Sequence, residues 1–201
     1  ERNLPLNRFT KVFPELKVSF GTVNSGVKPE KYKKDRSLVN IDDSNNGYLQ
    51  GYQESELELH LSDEVQEFKI AEKHTENARY SGVSELHAEE FEIISFPCEK
   101  SGFITADIEC LQEGSIYFIV DEILDLNGDV DPLRMSCCNA VKLNTACGNY
   151  QFMSAESMSF KYLKILCSKG SYVFKNVPLT EGTAELKFYI NGQQYVEKGV
   201  Y

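Results

Sequence analysis

The sequence predicts an all-β protein: a disulfide-stabilised antiparallel β-sandwich, jelly-roll-like, with an extended N-terminal arm and at most one or two short helices. Three observations carry that prediction. From Phe91 onward, short runs rich in β-branched and aromatic residues follow one another, separated by Gly, Asn, Asp, Pro or Ser. Two stretches, "KFYINGQQYV" and "EILDLNGDVD", place Asn-Gly between apolar runs, the strongest short-range hairpin signal. All six cysteines cluster between residues 98 and 167, as in a disulfide framework.

Taken in order, residues 1–36 read as a basic N-terminal arm and first strand packed on the body, and residues 37–201 as a single sandwich domain. The opening "ERNLPLNRFTKVFPE" holds two prolines and scattered apolar residues, which suits an extended segment because Pro donates nothing to a ladder and restricts its predecessor. In "LKVSFGTV", Leu16, Val18 and Phe20 alternate as on a half-buried strand. "SLVNI" reads as a short strand ending in the turn "DDSNNG". In "ELELHLSDEVQEFKI" the period-two leucines Leu57, Leu59 and Leu61 favour a hairpin turning at Ser62-Asp63-Glu64. The polar "AEKHTENARYSGVSELHAEE" reads as a loop with one short helical piece. Strands then follow at "FEIISF", "GFITADIEC", "SIYFIVDEIL", "SMSFKYLKILC", "SYVFKNV", "TAELKFYI" and "QQYVEKGVY". Only "SIYFIV" reads as apolar on both faces, which marks a central strand buried on both sides.

Composition narrows the function classes. Hydrophobic residues make up 41% and charged residues 26% of 201, enough for a packed core. No run approaches the ~18 consecutive apolar residues of a membrane helix. The chain opens on Glu1 with no initiator Met, as after removal of a signal or propeptide or in a piece cut from a longer chain, so its start is silent about targeting. The net charge of −10 is unevenly spread. Residues 1–36 carry nine basic residues against four acids, residues 37–100 four against fifteen, and the remainder eight against twelve. The acidic middle disfavours nucleic-acid binding.

Pairing the cysteines by spacing gives Cys98–Cys110 across a hairpin at Ser101-Gly102, Cys138–Cys147 closing a short loop, and Cys137–Cys167 stapling that loop to a strand. On this scheme no native thiol is reactive. It also points to secretion or a cell surface, although no Asn-x-Ser/Thr sequon is present.

Few residues suggest chemistry. In "DLNGDVD", Asp125, Asn127, Asp129 and Asp131 fall at alternate positions, the oxygen spacing of a Ca²⁺ loop. An EF-hand would have Gly and a bidentate Glu where Val130 and Ser136 stand, so a type I′ hairpin without metal is the preferred reading and no cofactor is expected. His60, His74 and His87 are too dispersed for a zinc site. No nucleophile elbow, Walker loop or dinucleotide fingerprint is present. In "KPEKYKKDR", Lys28, Lys31, Lys33, Lys34 and Arg36 surround Tyr32. That group reads either as a surface for an anionic partner or as a loop that is merely solvated or docks on the acidic middle of its own chain. The function expected is a non-enzymatic binding module for another protein or a surface glycan. Its rivals are a carrier of an apolar ligand between splayed sheets, suggested by 23 Phe and Tyr residues without Trp, and a carboxylate-based glycoside hydrolase using pairs such as Asp107 with Glu109 or Glu89 with Glu90.

Overall fold

Ten strands join in one antiparallel sheet in the computed structural model, which describes residues 8–35, 61–190 and 193–200. They are β1 (Arg8–Val12), β2 (Leu16–Asn24), β3 (Lys69–Arg79), β4 (Val83–His87), β5 (Glu90–Asp121), β6 (Ala140–Thr145), β7 (Gly148–Met153), β8 (Met158–Lys175), β9 (Leu179–Ile190) and β10 (Gln193–Val200). One short helix, α1 (Leu61–Glu64), continues into a 3₁₀ turn at Val65–Glu67. No helix among the described residues is long and apolar enough to cross a membrane.

The two longest strands are bent, and their register shows where. Residues 162–167 of β8 pair on one side with 90–95 of β5 and on the other with 116–121 of the same strand. Ile93, Lys164 and Ile119 thus lie in one row across three neighbouring limbs. β2 and then β3 extend this set beyond the first limb of β5, and β6 extends it beyond the last. A second set pairs 171–175 of β8 with β4 on one side and with 107–112 of β5 on the other, and β7 lies beside 105–110.

Both long strands cross between the sets at the same corner, and two glycines make the crossing possible. A Cβ on Gly114 would stand 1.8 Å from the carbonyl oxygen of Lys169, and one on Gly170 2.5 Å from that of Gln112. Gly170 also takes φ +99°, a conformation closed to most L-residues. Backbone therefore lies directly against backbone where the strands turn.

One core fills the space that the corner encloses. Ile94, Phe118, Leu163 and Ile165 from the first set share it with Ile108, Tyr172 and Phe174 from the second. Phe118 stacks on Phe152 at 4.9 Å and meets Phe174 edge-on at 6.3 Å. The opposite face of the first set carries Phe91, Ile93, Tyr117, Ile119 and Leu166, covered by Val65 and Val130. The run "SIYFIV" is accordingly buried on both faces, as its uninterrupted apolar pattern requires.

Five sequence expectations are corrected. Ser62-Asp63-Glu64 is a helical turn and not the tip of a hairpin, while Leu57, Leu59, "SLVNI" and "DDSNNG" lie outside the described residues. "AEKHTENAR" and "VSELH", expected as loop and helix, form β3 and β4, because pairing with β2 and β8 outweighs their helix-forming composition. Arg8–Val12 of the expected arm is a strand paired with β9, and Val12 packs against the core.

The fourth correction removes the disulfides, since all six cysteines are free thiols. Ser101 and Gly102 pair with Ser159 and Met158 within β5, so no hairpin there brings Cys98 to Cys110. Cys138 and Cys147 stand beyond opposite ends of β6, whose six residues alone span about 20 Å at strand rise, far outside disulfide reach. Cys137 is exposed on a loop, whereas Cys167 is sealed in the core and donates to the carbonyls of Lys169 and Gly170. Buried cysteines pack well as small apolar residues, and that is the use of Cys110 and Cys167 here.

The Asn191-Gly192 turn lies outside the described residues, but β9 and β10 on either side of it pair antiparallel from Ile190 with Gln193 onward. Asn127-Gly128 departs from expectation. Gly128 N–H donates to the Asp125 carbonyl and Asp125 N–H to that of Asp129, with Gly128 at φ +71°. This is a three-residue loop with Gly in the left-handed region, and it joins no strands of a hairpin.

Candidate functional site

The basic segment folds onto the acidic part of its own chain. Tyr32 donates to the Glu67 carboxylate at 2.6 Å, which holds the phenol proton and pushes its pKa up to about 12. Lys33 N–H donates to Gln66 Oε1, Gln66 Nε2 donates to the Lys33 carbonyl, and Lys33 Nζ reaches Asp131 at 3.0 Å. Lys28, Lys31 and Lys34 are exposed, and Arg36 lies outside the described residues. Tyr32 and Lys33 are thus turned onto the chain's own acids, Glu67 and Asp131.

The acidic loop is filled by lysines. Asp125 Oδ1 accepts the N–H groups of Asn127 and Asp129, both at 2.8 Å. Both oxygens of Asp129 accept from Lys164 Nζ at 2.8 Å, Lys73 Nζ donates to the Asn127 carbonyl, and Asp131 takes Lys33. Lys164 is 5% exposed and lies 4.5 Å from the centre of the Phe91 ring. Burial lowers its pKa and the Asp129 charge works in the opposite direction. The four alternate residues thus point to different partners and not to a common centre. Among the described residues no group of three or more His, Cys, Asp or Glu is placed to hold a metal ion.

A concave feature lies elsewhere among the described residues, in a groove of about 730 Å³ where β1 gives way to β2 and β3 to β4. Phe13, Pro14, Leu16, Pro97 and Val177 supply its apolar wall, and Glu15, Arg79, Tyr80 and Asn176 its polar groups. Phe13 is 52% exposed. Pro14 ends β1 by removing a ladder donor, and Glu15 N–H then bonds the Ser95 carbonyl and fixes the wall.

Behind the groove runs a buried polar chain. Tyr80 Oη stands 3.0 Å from Ser84 Oγ, which donates to Glu92 Oε1. Glu92 is 1% exposed, and its Oε2 lies 3.7 Å from Lys17 Nζ without a hydrogen bond. Burial raises the Glu92 pKa, and the bond from Ser84 and the charge of Lys17 offset this in part. Desolvation raises the Tyr80 pKa, and the nearby Glu92 charge adds to it. A carboxylate so enclosed cannot touch a ligand, so its role is to hold Tyr80 and β4 in place.

The remaining candidates stand apart. Glu109 pairs with Lys175 at 2.8 Å, beside Asp107 on β5. Glu89 accepts from Ser25, and Glu90 from the His87 backbone. His74 and His87 are exposed beside Glu72 and Glu85, and His60 lies outside the described residues. Sequence reasoning missed the groove altogether. Phe13, Arg79 and Asn176 come from distant segments, and only the Pro14 break hinted that a strand ends there.

No protein-family model and no curated protein matches the chain. Two solved structures are similar in part. One is the GH78 family rhamnosidase of Bacillus sp. GL1, at 15% identity and TM-score 0.43 over 49% of this chain and 11% of that one. The other is the rhamnosidase from Klebsiella oxytoca with rhamnose bound, at 11% identity and TM-score 0.44 over 88% of this chain and 30% of that one. The chain thus spans less than a third of either protein's length. Similarity at this level assigns neither fold nor activity.

Proposed function

We propose that the chain is a non-catalytic binding module, a jelly-roll-like β-sandwich that takes a glycan into the groove beside Phe13 and Tyr80. The observation that carries the reading is the groove lining, in which the aromatic side chains of Phe13 and Tyr80 stand with a cation, an amide and the Ser81 hydroxyl. A sugar ring has apolar C–H faces and a rim of hydroxyls, and such a lining complements both. The lining holds a single carboxylate, Glu15, where a glycosidase of the usual kind needs two flanking the bond, which favours binding over hydrolysis. Phe96, Phe118, Phe160, Tyr172 and Phe174 fill the space that a carrier would keep for an apolar ligand. Free thiols withdraw the support that a disulfide framework gave to secretion, and the binding proposal does not depend on that location.

Titrating a panel of neutral and acidic oligosaccharides while following amide chemical shifts tests the proposal. We expect shifts confined to the groove segments, with binding weakened about tenfold or more by Phe13→Ala or Arg79→Ala, the scale of losing one good contact. Saturable binding that both variants leave unchanged, or no binding across the panel, would refute it. Release of reducing sugar would favour the hydrolase instead.

A further inference from the structure

The loop between β5 and β6 displays apolar side chains while being held from within. Leu126 is 106% exposed, Met135 81% and Ile123 59%, whereas Val130 and Leu133 of the same loop are buried at 4% and 3%. Exposure of this kind is unremarkable in a loose loop, where side chains can fold back on the surface. This loop has little such freedom. Asp121, buried beneath it, accepts a two-pronged contact from Arg134 and the N–H of Asp131. Arg134 also donates to the Ile123 carbonyl, tying the residue before Met135 to Ile123. Lys164 and Lys73 grip the Asn127–Asp129 turn beside Leu126. The apolar tip is pre-organised, so little ordering entropy opposes its burial by a partner.

Charge selects the partner. Arg134 and Lys164 turn inward onto Asp121 and Asp129, and Lys33, still exposed, is paired with Asp131, while Glu122 and Asp125 remain exposed beside the apolar residues. The chain as a whole carries −10. An anionic bilayer is repelled by such a surface, and so is a second copy presenting the same one.

We propose that Ile123, Leu126 and Met135 form a docking surface for a protein partner whose apolar face is rimmed by Lys or Arg. The surface is separate from the groove and does not depend on a glycan.

A fluorescein-labelled amphipathic helical peptide of Leu and Lys serves as the probe, with its Leu/Glu counterpart as control, read by anisotropy. The variant Ile123→Ser/Leu126→Ser/Met135→Ser keeps every charge and both buried anchors, and Leu126→Ser alone covers the case in which the triple variant misfolds. The expected result is saturable binding of the Leu/Lys peptide, none of the Leu/Glu peptide, and at least a tenfold loss in the triple variant. Equal binding by wild type and variants would reduce the contact to general attraction by an acidic chain and overturn the proposal. Loop-dependent dimerisation in sedimentation, or loop-dependent binding to phosphatidylserine vesicles, would overturn it in favour of a second copy or a membrane.

Discussion

Replacing Lys164 by Met removes an ammonium group that is 5% exposed and leaves the carboxylate it served, Asp129, without its partner. Met preserves the length of the side chain and its packing over Phe91, so the change isolates the charge. Breaking a buried pair by removing one partner costs about 3–5 kcal/mol, because the survivor is desolvated and uncompensated. Asp129 is 19% exposed, so water can reach it in part, and we expect about 2–3 kcal/mol for Lys164→Met. For a chain of this size that lowers the melting temperature by about 4–12 °C. Asp129→Asn strands the more deeply buried partner and should cost more, about 3–5 kcal/mol. The double variant Lys164→Met/Asp129→Asn leaves neither charge stranded and should be more stable than Asp129→Asn alone. Urea unfolding of the four proteins gives the coupling directly. Two single variants each within about 0.5 kcal/mol of wild type, with effects that simply add, would refute the view that this pair clamps the loop.

Other consequences are as testable. Gly114→Ala puts a methyl 1.8 Å from the Lys169 carbonyl oxygen, so the two backbones must part; we expect a loss above the ~1–3 kcal/mol of ordinary overpacking, measured by urea unfolding. With Ellman's reagent under native conditions, Cys98, Cys137 and Cys147 should react first, being exposed. Cys138, its thiol pushed up to about 11 by burial, should lag, and Cys110 and Cys167 should react only on unfolding; fewer than two rapidly reacting thiols would restore a disulfide scheme. Glu92 is raised by burial in the folded state, so the native protein holds its proton where the unfolded chain has released it. Its contribution is present below the unfolded carboxylate value and is lost as pH rises through the folded one. Glu92→Gln, which can still accept from Ser84, should flatten that decline in denaturation midpoints measured from pH 4 to 8, and an unchanged profile would contradict the assignment.

The sequence by itself determined the all-β class, because a period of two and the β-branched and aromatic runs are local properties that reach the fold unchanged. It also determined the central strand, since an uninterrupted run such as "SIYFIV" has no polar face to turn to water and must be covered twice. Where partners from distant segments compete, local signals fail. The polar "AEKHTENAR" is a strand only because β2 offers a ladder, and the even cysteine count suggested bonds between residues that β6 and β5 hold apart. The acidic spacing of Asp125 to Asp131 was plain in the sequence, but which protein groups meet that segment depended on Lys73 and Lys164, 52 and 39 residues from Asp125 in opposite directions along the chain. Even the corner at Gly114 and Gly170 reads as two unrelated glycines until the long strands bring one backbone onto the other. The groove is the extreme case. Its wall residues acquire a common surface only when the sheet joins the end of β1, the turn after β3 and the end of β8, for packing acts between segments that the order of the chain keeps apart.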